Sequence, residues 1–83
     1  MTSNEYFLKT MATEIDNLTH RVTLAKERVA RAAGELARSD KYVVSNANAL
    51  AGAARELAEA AAQLEQTKWI VKHLEDAIAF TNG

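Results

Sequence analysis

Residues 8–36 read LKTMATEIDNLTHRVTLAKERVARAAGEL, and within them Leu8, Met11, Ile15, Leu18, Val22, Ala25, Val29, Ala32 and Leu36 recur at alternating steps of three and four. A 3.5-residue period held over four heptads is the signature of a helix that lays one seam against another helix. A second set supplies the partner: Leu50, Ala53, Leu57, Ala60, Leu64, Thr67, Val71, Leu74 and Ile78 keep the same spacing. Alanine makes up about a fifth of the chain, and runs of β-branched or aromatic residues are almost absent, so intrinsic propensity agrees with periodicity.

Between the two sets, Ser39, Asp40, Ser45, Asn46 and Asn48 offer side-chain oxygens that compete with helical backbone bonds or cap a helix start. The reading is therefore two antiparallel helices, over 5–38 and 49–80, with the turn inside 39–48. Folding the chain about residue 43 sets Leu36 by Leu50, Val29 by Leu57, Val22 by Leu64, Ile15 by Val71 and Leu8 by Ile78. Alanine layers fall between these large ones, and Gly34 lies level with Gly52, which predicts close helix approach near the turn. Tyr6 and Phe7 fall level with Phe80, which predicts an aromatic clasp at the open end.

The chain of 83 residues forms a single domain, 1–83, in the all-α class. Chains this small hide only about 60% of the surface their unfolded form exposes. A two-helix rod has one seam to bury, and with no cysteine there is neither a disulfide framework nor a Cys-based zinc site to help. Assembly into a helical-bundle homo-oligomer is the expectation, either as a dimeric four-helix bundle or as a higher oligomer. Trp69, Ile70 and Phe80 on the flank of the second helix are the candidate interaction surface, because a hairpin alone leaves them partly in water. Tyr42, beside Lys41 at the turn, either contacts a partner or a base or covers the last seam layer.

The longest uncharged stretch, Tyr42 to Ala54, is shorter than the 18 or more residues of a membrane span, and charges at Glu5, Lys9 and Glu14 spoil a signal peptide. The expectation is a soluble, cytoplasmic protein with no membrane partner. His20 and His73 fall too far apart along the hairpin to share a metal, and no Glu-x-x-His pattern of the di-iron bundles is present. No Gly-x-Ser-x-Gly elbow, phosphate loop or Rossmann glycine pattern exists either. The reading is no catalytic residue, no metal, no cofactor and no enzymatic activity.

Charge is distributed unevenly. The segment from Arg21 to Lys41 is net +3 and the remainder −4. Arg21 and Arg28 are one heptad apart and Arg31 follows, so these three are the candidate anion- or nucleotide-binding residues; the competing reading is a solvated, ion-paired face. The net charge of −1, with no helix of a recognised reading type, argues against DNA as a partner.

The segment His73-Leu74-Glu75-Asp76-Ala77-Ile78-Ala79-Phe80-Thr81-Asn82 resembles the Leu-Glu-Glu-Ala helix, followed by an aromatic and then Asn, in the helical hairpin of phage sponge proteins that sequester cyclic-nucleotide immune signals. Asp76 stands where the second Glu is usual, Phe80 where Trp is usual, and Lys72 where Thr is common. The resemblance covers about a tenth of the chain. It implies a non-enzymatic, phage-type antagonist of host immunity that binds a signalling nucleotide between subunits in the host cytoplasm, and it carries over no ligand residue. Val71 to Ile78 is also similar to the terminal helix of type III secretion needle subunits, although the prolines usual at their turn are missing here. A third reading needs no motif: a helical inhibitor or adaptor that binds one host protein through an apolar helix face.

Overall fold

The computed structural model describes residues 3–82. Helix α1 runs Ser3–Arg38 and helix α2 runs Val43–Asn82, and the two pack antiparallel into a rod 63 × 18 × 13 Å. No strand occurs among the described residues.

Every residue of both heptad sets is buried or half-buried, so the 3.5-residue period is the packing seam. Burial is deepest at mid-rod, where Leu18, Ala25, Ala60 and Leu64 are the buried core of the hairpin. Toward either end the seam residues are only half-covered, since a pair of helices has no third element to close over them. Thr67, the polar member of the seam, donates its hydroxyl to the Gln63 carbonyl at 2.9 Å, so its partial burial leaves no orphan donor. Thr10, Thr13, Thr19, Thr23 and Thr81 bond back to the residue four before in the same way, which satisfies each hydroxyl within its own helix.

The turn is shorter than the sequence suggests. The Ser39 amide donates to the Leu36 carbonyl at 3.1 Å, tightening the last turn of α1, and the Tyr42 carbonyl already accepts the Asn46 amide at 2.9 Å. Among the described residues, only 39–42 are non-helical. Asn46 lies one seam step before Leu50 and is half-buried. Packing against α1 thus carries the helix through Ser45, Asn46 and Asn48, whose side chains read in isolation as turn formers.

Two packing expectations are corrected. Gly34 does not face α2: a Cβ built there would meet the Arg38 guanidinium of its own helix at 3.4 Å, and one at Gly52 would meet nothing within 4 Å. Both lie off the seam, where glycine allows no closer approach of the helices. Gly52→Ala should therefore raise stability by about 0.5–1 kcal/mol, the helix-propensity difference at an open site; thermal unfolding followed by circular dichroism measures it. Nor is there an aromatic clasp. Phe80 is 89% exposed and Tyr6 67%, because their positions on each helix point away from the seam that holds the rod together.

Candidate interaction surface

The two broad faces of the hairpin differ, and the reason is geometric. In an antiparallel helix pair, residues one before a seam position on both helices share one face, and residues one after share the other.

The first face carries the arginines. Arg21 donates from Nη1 to Gln63 Oε1 at 3.0 Å, and Arg28 Nη1 lies 3.3 Å from Glu56 Oε2. Arg21 and Arg28 line one groove together with Leu24, Glu56, Glu59 and Gln63. Arg28 and Arg31 line the next, with Glu35, Gly52 and Glu56. The structure thus brings Arg21, Arg28 and Arg31 side by side along one face, and sets Glu56 and Glu59 of α2 among them. The partners across the seam, Gln63 for Arg21 and Glu56 for Arg28, lie on the second helix. The Arg28–Glu56 pair is well exposed, so its worth is the few tenths to 1 kcal/mol usual for a surface pair.

Ile70 borders a third groove on this face with Glu14, Leu18, Arg21 and Gln66. Trp69 is one residue earlier and stands on the outer side of α2, 60% exposed. His73, one turn on, stacks on it with ring centroids 3.9 Å apart and planes at 30°. The His73 Nδ1 lies 2.9 Å from the Trp69 carbonyl oxygen. A carbonyl only accepts, so Nδ1 carries the proton. The stack and the hydrogen bond restrain both rings while leaving the indole in solvent. Phe80 stands apart, three turns along the helix, so Trp69, Ile70 and Phe80 are separate exposed points and no continuous patch joins all three. Tyr42, 71% exposed at the tip, does not cover the last seam layer.

No group of three or more His, Cys, Asp or Glu residues placed to hold a metal ion occurs among the described residues. None of their helices is long and apolar enough to cross a membrane. No protein-family model, curated protein or solved structure matches this chain.

Proposed function

We propose that the protein is a non-enzymatic binding module, an inhibitor or adaptor that docks another protein against the outer side of α2 with Trp69 as its anchor. The observation that carries this reading is the restrained but solvent-exposed indole of the chain's single tryptophan. It contributes nothing to the seam, and a large rigid aromatic held in water by a stacked neighbour is preorganised for a partner's pocket. The phage-antagonist setting implied by the resemblance of residues 73–82 is compatible with such a module.

Nucleotide sequestration is the second reading, supported by the alignment of Arg21, Arg28 and Arg31 along adjacent grooves. Guanidinium forks suit phosphate, and affinity of this kind falls as salt rises. Against it stand Glu56 and Glu59 in the same grooves, which an anion would have to displace or tolerate.

The test is purification of the tagged protein from its native cells beside the Trp69→Glu and Arg28→Ala variants, with calorimetric titration against cyclic di- and trinucleotides. The docking reading expects one partner protein bound by wild type and Arg28→Ala, and bound at least about thirty-fold more weakly by Trp69→Glu, the loss of about 2 kcal/mol typical of an aromatic anchor. Trp69 emission should shift to the blue on complex formation. Nucleotide heat that is salt-sensitive and lost in Arg28→Ala would replace this reading with sequestration.

A further inference from the structure

The second broad face of the hairpin is unlike the first. One residue after each seam position, α1 presents Ala30, Ala33 and Ala37, and α2 presents Ala51, Ala54 and Ala58, all exposed. No long side chain bridges the seam there, in contrast to the Arg21–Gln63 and Arg28–Glu56 contacts that close the other side. Between Lys26 and the turn this face is flat and apolar, and another helix can approach it closely. Toward the open end the same face becomes charged, with Lys9 and Asp16 on α1 and Glu65, Lys68, Lys72 and Glu75 on α2. The register puts Asp16 and Lys72, and likewise Lys9 and Glu75, within two residues of level, about 3 Å by helical rise and within reach of these side chains, with opposite signs in each pair. Neither Asp16 nor Lys72 is in an ion pair with another described residue of its own hairpin.

We propose that a second copy of this chain occupies this face, related by a twofold axis parallel to the rod. The two turns then lie at one end, and α1 of each copy lies on α2 of the other. That operation preserves level, so alanine meets alanine in the turn half, and Asp16 of one copy meets Lys72 of the other in the open half. It also yields an up-down four-helix bundle in which every neighbouring pair is antiparallel. The opposite orientation lays α1 on α1 and, at full overlap, sets the alanines against the charged open end.

The areas agree. The chain exposes 6343 Å², against about 4,900 Å² expected for a compact protein of 9.1 kDa. A broad side of 63 by 18 Å projects about 1,100 Å², above the ~800 Å² per partner that stable interfaces bury. This interface rests on the binding-module reading only in that it leaves Trp69 free on the outer side of α2. The two fail separately: Trp69→Glu should leave the dimer intact.

Sedimentation equilibrium is the first arm. Wild type and Trp69→Glu should both sediment as two chains at micromolar concentration. Ala54→Glu, which keeps an exposed helical position helical, should weaken dimerisation at least about a hundred-fold, because the twofold buries two uncompensated carboxylates. Asp16→Lys should weaken it more modestly, and Asp16→Lys with Lys72→Asp should restore it. The absence of native cysteine makes the second arm clean. Chains carrying Ala33→Cys mixed with chains carrying Ala54→Cys should oxidise to a cross-linked heterodimer in preference to either homodimer. A wild-type mass of one chain, an Ala54→Glu dimer as tight as wild type, or cross-linking confined to Ala33→Cys with itself would overturn the proposal.

Discussion

Leu18→Ala is expected to destabilise the hairpin by about 2–4 kcal/mol, enough to leave much of the protein unfolded near physiological temperature. Leu18 is 3% exposed at mid-seam, where truncation removes buried methylenes and leaves a cavity that two long, straight helices can only partly close. A chain with a single intramolecular seam has little in reserve. The control is on the same helix: Leu24, 39% exposed on the arginine face, should cost less than about 1 kcal/mol when changed to alanine, since a large share of its surface is already in water and its removal leaves no enclosed cavity. Urea unfolding of both variants at several protein concentrations measures the difference. Equal losses at the two positions would mean that the seam is not where the stability resides.

Ala60→Leu tests the seam from the other direction and should cost about 1–3 kcal/mol despite adding apolar surface. Ala25 and Ala60 are both about 4% exposed and occupy the small layer between Val22 with Leu64 and Val29 with Leu57. A leucine there meets α1 at the seam and has only the open arginine groove bordered by Ala25 and Ala60 to turn into, so it forces off-rotamer side chains or pushes the helices apart over neighbouring layers. Two residues on, Ala62 is exposed, and the same change there should be nearly neutral because leucine and alanine differ little as helix formers. Thermal unfolding of the two variants separates packing from propensity. Stabilisation by Ala60→Leu would show that the small layer is underpacked.

The electrostatics of the grooves depend on which charges face each other, and here periodicity alone was insufficient. Arg21, Arg28 and Arg31 were recognisable in the sequence as one side of a helix, because heptad spacing fixes direction around a single axis. That Gln63 and Glu56 would meet Arg21 and Arg28 turns on the rotamers of long side chains, which a register between helices does not specify. The partners are separated from the arginines by the whole turn, and no local pattern along either helix marks them. Trp69 was recognisable as a residue off the seam. Its stack with His73 and the bond from Nδ1 to its carbonyl depend on rotamers, which spacing leaves undetermined.

By itself, the sequence determined that the chain is two helices folded back on one another and which residues line the seam between them. A 3.5-residue repeat of apolar side chains has one low-energy solution in water, and mirror placement about residue 43 leaves one register that stacks large layers on large. Only the tertiary structure decided where the turn begins. Asn46 is half-buried one seam step before Leu50, and that burial outweighs the local preference of Ser45, Asn46 and Asn48 for a loop. Tertiary structure also decided that Gly34 and Gly52 lie off the interface and that Phe80 stays in solvent. Each of these turns on angular position around a helix relative to a second helix, a relation that exists only once the two are packed.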